Sequence, residues 1–247
     1  MMIFDFDGVL IDSAKEACVS AYNAVHETEI RDFADLPGPL TGLFFKNIFH
    51  FYNPYTLYSL VAWCSENYET NSDKIMTRDE FKAYLEVSNL DPKVISPYFY
   101  SVRKKFMLSF PEEWVKMNTP FMPLWNALQS SKPETIIILT AKNKSAVLKL
   151  SHNYGLMIPE ENIYAGDNNT TKVENFRLIQ ERFPNEEFEF IDDHLVNLKA
   201  LDSVFNLKEK QVNLILCNWG YGDPEDLVKA KELGYEVLAQ EEVIERI

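Results

Sequence analysis

The sequence predicts an α/β protein, a doubly wound parallel sheet whose first strand is followed by a long, all-helical insertion. Three observations carry this reading. The chain opens on a short apolar run, Met1 to Leu10, which holds two carboxylates one residue apart, Asp5 and Asp7, with Gly8 behind them. From Pro111 onward, apolar runs alternate with helical patterns at the spacing of βαβ units, which implies parallel strands. Between about residues 14 and 111 no period-two alternation is sustained, so that stretch reads as helix. The expected division is residues 1–13 with 112–247 for the sheet and 14–111 for the insertion.

Each element has a local reason. After the first strand, Asp12 or Ser13 caps a helix that runs to about Val25, with Ala, Lys and Glu supplying helix propensity. Leu36-Pro37-Gly38-Pro39-Leu40 interrupts the chain, and Asn53-Pro54 divides the aromatic-rich stretch Leu43 to Cys64 into two helices. Thr77-Arg78-Asp79-Glu80 has the side chains of a capping box and opens a helix to about Ser88. Pro92 to Ser109 reads as one or two more. In the second half, Glu134 to Thr140 is a β-branched, apolar strand ending in a hydroxyl, and Phe188 to Asp193 is another ending in paired acids, Asp192 and Asp193. Between them, Lys172 precedes an amphipathic helix, Val173 to Ile179.

Composition narrows the function classes. A chain of 247 residues that is 46% hydrophobic can bury a sizeable core. The 24 basic residues against 38 acidic ones leave a net charge of −14, which repels nucleic acid and anionic lipid, so neither is expected as a partner. Cys18, Cys64 and Cys217 show no paired spacing, and His26, His50, His152 and His194 form no ligand cluster, which argues against a disulfide framework and a zinc site. The amino terminus is acidic where a secretion signal is basic, and no run is long enough to span a membrane; cytoplasmic residence is expected. In the insertion, Phe44, Phe45, Phe49, Phe51, Tyr52, Tyr55, Tyr58 and Trp63 read by default as packing, with the lining of a substrate pocket as the alternative. Lys46, Arg78, Arg103, Lys104 and Lys105 read mostly as a solvated face, with contact to a phosphorylated substrate as the alternative.

Asp5-Phe6-Asp7-Gly8 carries the chemistry. By itself it has the composition of a solvated turn. At the carboxyl end of a strand, where open α/β sheets build ligand sites, two carboxylates so close repel unless a cation lies between them. Few carboxylates, with a substrate phosphate to complete the shell, favour Mg²⁺.

The order Asp5-x-Asp7-Gly8-Val9, Leu139-Thr140, Lys172, Asp192-Asp193 resembles the four motifs of the haloacid dehalogenase (HAD) superfamily of phosphohydrolases. The 20 residues from Lys172 to Asp192 suit the spacing of that family's third and fourth motifs, and Asn197 falls where the family often has Asp or Asn. Asn218-Trp219-Gly220-Tyr221-Gly222 and Gly234 to Leu238 are similar to its later core strands. The resemblance covers the core and implies a Rossmannoid fold in which the insertion is a helical cap. Family members acting on sugar phosphates often carry an Arg shortly before a cap Gly; Leu36 to Gly42 has none.

The resemblance also implies a mechanism. Asp5 is the expected nucleophile, forming an aspartyl-phosphate, and Asp7 the acid and base. Mg²⁺ is expected on Asp5, the Asp7 backbone carbonyl and Asp193, with Asp192 direct or through water. Thr140, Ala141 and Lys172 are the expected phosphate-binding residues, with Lys142 and Lys144 as rivals for the lysine role. The substrate expected is a small phosphorylated metabolite. A phosphomutase or phosphonatase on the same core, a dehalogenase, and a non-catalytic phosphate-binding or receiver-type protein are the alternatives. The dehalogenase is disfavoured by Asp7, and the receiver by motif order and chain length.

Overall fold

The computed structural model describes residues 1–167 and 170–247. In chain order the strands are β1 (Met2–Phe4), β2 (Ile11–Asp12), β3 (Thr119–Pro120), β4 (Ile137–Leu139), β5 (Ile163–Tyr164), β6 (Phe188–Asp192), β7 (Val212–Cys217) and β8 (Glu236–Leu238). The helices are α1 (Ala14–His26), α2 (Gly38–Lys46), α3 (Pro54–Asn67), α4 (Arg78–Val87), α5 (Pro92–Ser109), α6 (Pro111–Lys116), α7 (Met122–Ser130), α8 (Lys144–Asn153), α9 (Lys172–Arg182), α10 (Leu195–Phe205), α11 (Pro224–Glu232) and α12 (Gln240–Ile244). The chain divides into two compact units, Met1–Asp12 with Thr119–Ile247, and Ser13–Asn118.

The first unit is built on a parallel sheet in the order β5-β4-β1-β6-β7-β8, formed among the described residues. The first strand lies inside the sheet, with Ile3 in register with Ile137 on one side and Phe190 on the other. The chain builds outward through β4 and β5, then crosses back to add β6, β7 and β8. Such a reversal leaves a crevice at the carboxyl ends of the central strands. Ile3, Ile137, Leu139, Phe190, Leu214 and Leu216 are buried from this sheet together with Phe176 of α9 and Leu198 of α10, so continuous apolar strands meet helices as a parallel sheet requires. Beyond β1 the chain turns sharply: Gly8 N–H donates to Ile11 O, and β2 then pairs antiparallel with β3.

The second unit is helical throughout its described residues. Thr77 and Glu80 form the expected capping box, and Asn53 with Thr56 forms another behind Pro54. Pro92–Ser109 is one helix, with Pro97 inside its first turns. The expected return to the sheet at residue 112 falls seven residues before the observed unit boundary, because Pro111 starts another helix, α6, which packs on α5 and buries Trp114. Phe44, Phe51 and Trp63 are buried, in keeping with packing, whereas Phe45 is 42% exposed.

One cation departs from the solvated-face reading. Arg103 is buried, donates through Nε to Glu16 Oε1 at 3.0 Å and lies over the Phe99 ring. Ser20 Oγ donates to the same Glu16 oxygen. Removing one member of a buried pair leaves the other desolvated and uncompensated. Arg103→Met is therefore expected to destabilise the protein by about 3–5 kcal/mol, read by urea denaturation. Arg103→Met combined with Glu16→Gln should recover most of the loss, and a single-variant effect under about 1 kcal/mol would contradict the assignment.

The three cysteines are free and buried. No helix among the described residues is long and apolar enough to cross a membrane.

Candidate active site

The crevice at the carboxyl ends of β1, β4 and β6 gathers the polar residues that end those strands. Asp5 follows β1, Thr140 follows β4, Asp192 closes β6 and Asp193 comes next. Asp5, Asp192 and Asp193 are buried, and each has a carboxylate oxygen within 4.8 Å of the others. Burial of that kind is tolerated only with compensation.

Part of the compensation is Lys172, the first residue of α9. Its Nζ lies 2.9 Å from Asp5 Oδ2 and 2.5 Å from Asp192 Oδ2. Thr171, with Glu174, forms a capping box that fixes the start of the helix, and Asn175 Nδ2 donates to Ala165 O from the next turn. Burial alone would lower the Lys172 pKa, but Asp192 and Asp5 outweigh it and hold the ammonium protonated.

The paired acids are not equivalent. Asp192 Oδ1 accepts from His194 N–H at 2.8 Å and Asn197 Nδ2 at 3.0 Å, and its Oδ2 meets Lys172 and Asn197. Asp193 Oδ2 accepts from Tyr221 N–H at 2.7 Å, while its Oδ1 is buried without a hydrogen-bond partner. Glycines close in on Asp193. A Cβ at Gly220 would stand 2.2 Å from Asp193 Cβ, and one at Gly222 would stand 2.1 Å from its carbonyl oxygen. A Cβ at Gly8, whose φ is +81°, would stand 2.2 Å from Asp193 Oδ2. The turn after β7 and the turn after β1 can reach this carboxylate only because they lack side chains there.

Asp7 lies apart. Its carboxylate meets Lys142, whose Nζ is 2.8 Å from Oδ1 and 3.2 Å from Oδ2. Thr140 Oγ1 accepts from Lys142 N–H at 3.1 Å, which leaves the hydroxyl proton to donate elsewhere. Ala141, between them, packs its carbonyl oxygen against Gly166, where a Cβ would come within 2.4 Å. Lys144 turns away, its Nζ donating to Glu160 O. Of the three candidate lysines, the structure thus brings Lys172 to Asp5 and Lys142 to Asp7. Residue order alone does not show the tie between Lys142 and Asp7.

Lys172 serves both Asp5 and Asp192, and Lys142 serves Asp7. Burial pushes the Asp5 carboxyl well above the usual range; Lys172 draws it down, and Asp192 and Asp193 push it up again. Asp193 is pushed up by burial and then by Asp192, against the Tyr221 amide and Lys172. The three converging carboxylates and the partnerless Asp193 oxygen fit a divalent cation bound through oxygen.

No protein-family model matches the chain, and no curated protein matches its sequence. Solved structures match it over nearly its whole length. A predicted phosphatase from Clostridium acetobutylicum is 15% identical and superposes with a TM-score of 0.60, covering 99% of this chain and 96% of that one. A predicted phosphoglycolate phosphatase from Haemophilus somnus is 17% identical, with a TM-score of 0.59 and the same coverage of 99% and 96%. A protein from Bacteroides fragilis assigned as a haloacid dehalogenase-like hydrolase is 14% identical, with a TM-score of 0.54 over 96% of this chain and 94% of that one. The fold is the haloacid dehalogenase-like one. Within this HAD fold, Asp5, Lys172, Asp192 and Asp193 lie together, and Thr140 ends the neighbouring strand β4.

Proposed function

We propose that the protein is a Mg²⁺-dependent phosphatase of a small phosphorylated metabolite, working through an aspartyl-phosphate on Asp5. The observation that carries this reading is the juxtaposition of Asp5 with Lys172 and with the carboxylate of Asp193, one oxygen of which has no partner. Asp5, the backbone carbonyl of Asp7 and Asp193 would hold the cation, and Asp192, engaged by Lys172, His194 and Asn197, would orient rather than ligate. Bound there, Mg²⁺ supplies charge neutralisation for the phosphoryl oxygens.

The remaining steps belong to the chain. Asp5 Oδ attacks phosphorus, the ester bond breaks, and Asp7 gives a proton to the departing alkoxide. Asp7 then takes a proton from the water that hydrolyses the acyl phosphate, which releases inorganic phosphate and restores Asp5. Lys172 and the Thr140 hydroxyl hold phosphoryl oxygens, with Ala141 alongside. Residues 13–118 serve as the cap that selects the leaving group, and cytoplasmic residence suits a metabolite phosphatase.

The test is a screen of phosphorylated metabolites and p-nitrophenyl phosphate, with Mg²⁺ and with a chelator. Phosphate release should require the metal, and release that survives the chelator would sink the proposal. In the same assay, Asp7→Asn should slow an alkyl phosphate by about a hundredfold or more and p-nitrophenyl phosphate much less, since nitrophenolate hardly needs a proton. Equal losses would count against Asp7 as the acid.

A further inference from the structure

Lys142 has no part in the mechanism above, yet its burial is extreme for a lysine: the side chain is 0% exposed. Enclosing an ammonium group costs several kcal/mol unless a counter-charge meets it, and here Asp7 does, with both oxygens within 3.2 Å. The surrounding backbone fixes where that side chain starts. Thr140 N–H donates to Tyr164 O, Gly166 N–H donates to Lys142 O, and Lys142 N–H donates to the Thr140 hydroxyl. Gly166 approaches the Ala141 carbonyl too closely for any side chain. The segment 140–142 is thus pinned to the loop after β5, and Lys142 extends from a rigid base to the turn after β1.

The consequence concerns where Asp7 cannot go. Asp5, Asp192 and Asp193 already crowd their oxygens together, and Asp7 is two residues from Asp5 on the same turn. A divalent cation among them would attract a fourth carboxylate, and an Asp7 captured as a metal ligand would no longer be available for proton transfer. We propose that Lys142 is a positioning residue, which holds the Asp7 carboxylate clear of the cation-binding carboxylates and so keeps it available to the leaving group. This rests on the phosphatase reading for its kinetic consequence, though not for its geometric one. It gives each lysine a separate task, Lys172 at Asp5 and Asp192, and Lys142 at Asp7.

The kinetic test compares phenyl phosphate with p-nitrophenyl phosphate, whose leaving groups differ in basicity. Lys142→Met should reproduce the signature of Asp7→Asn, lowering kcat for phenyl phosphate by about a hundredfold and for p-nitrophenyl phosphate only a few-fold, with KM little changed. Lys142→Arg should recover part of the loss, and adding Lys142→Met to Asp7→Asn should cost nothing more. Equal losses on both esters, a raised KM, or additive losses in the double variant would overturn the proposal and make Lys142 a phosphate ligand or a purely structural residue. Crystal structures of the metal-free wild type and Lys142→Met proteins supply a readout that needs no turnover. Asp7 should lie against Lys142 in the first and leave that position in the second, and an unmoved carboxylate overturns the proposal. If the wild type hydrolyses no ester, the phosphatase reading fails, and the pair of structures still decides the role of Lys142.

Discussion

Asp5→Asn is expected to abolish turnover while leaving the protein folded. The Asp5 carboxylate is held on two sides, by Phe6 N–H at 2.7 Å on Oδ1 and by Lys172 Nζ at 2.9 Å on Oδ2. An asparagine oxygen can keep one of those bonds, but an amide is too weak a nucleophile to form the acyl phosphate. Removing a nucleophile in another hydrolase class costs on the order of a millionfold in kcat, which sets the scale expected here. Stability should not fall with it. Burial and the neighbouring acids already disfavour the charged form of Asp5, so a neutral isostere relieves repulsion, and Lys172 keeps Asp192 as a partner. A melting temperature equal to or above that of the wild type, with no phosphate release and no phosphorylated enzyme by mass spectrometry, is the expected pattern. Substantial activity in Asp5→Asn would remove the aspartyl-phosphate mechanism and leave a phosphate-binding protein as the better reading.

The parts of this site that were legible in the sequence are those tied to strand ends. Asp5, Thr140 and Asp192 each stand at the end of an apolar run, and parallel strands deliver their carboxyl ends to one edge. Relations that depend on side-chain direction were not legible. Lys142 and Lys172 both stood in plausible places, and only the pinning of residues 140–142 decides that Lys142 reaches Asp7. The inequality of Asp192 and Asp193 rests on Asn197, in the first turn of α10, and on Tyr221, whose backbone arrives from a distant turn. Glycines at 220 and 222 were visible, but not the carboxylate they make room for. Arg103 departs from the solvated face of its neighbours for a similar reason. Its partner, Glu16, sits among Ala14, Ala17 and Cys18 on a buried face of α1, and an acid in that company was the available signal. The unit boundary slipped because Pro111 suits both a linker and the first turn of a helix, and it took the second role.

Asp193→Asn is expected to weaken Mg²⁺ binding by about a hundredfold or more, beyond the effect of the corresponding change at Asp192. The difference lies in what each carboxylate already does. Every oxygen of Asp192 is engaged, by Lys172, His194 N–H and Asn197, so its charge acts on the cation only at a distance. Asp193 keeps Oδ1 without a partner in a buried site, a cost of desolvation that a bound cation would repay. Its asparagine variant preserves shape and an acceptor for Tyr221 N–H, so the loss can be assigned to charge. Asp192→Asn should instead loosen Lys172, raise KM for the phosphate ester and leave most of the metal affinity intact. Isothermal titration with Mg²⁺ on both variants separates the two cases. If Asp192→Asn proves the more damaging to metal binding, the roles of the pair are exchanged; if neither variant changes Mg²⁺ affinity, the cation does not bind among Asp5, Asp192 and Asp193.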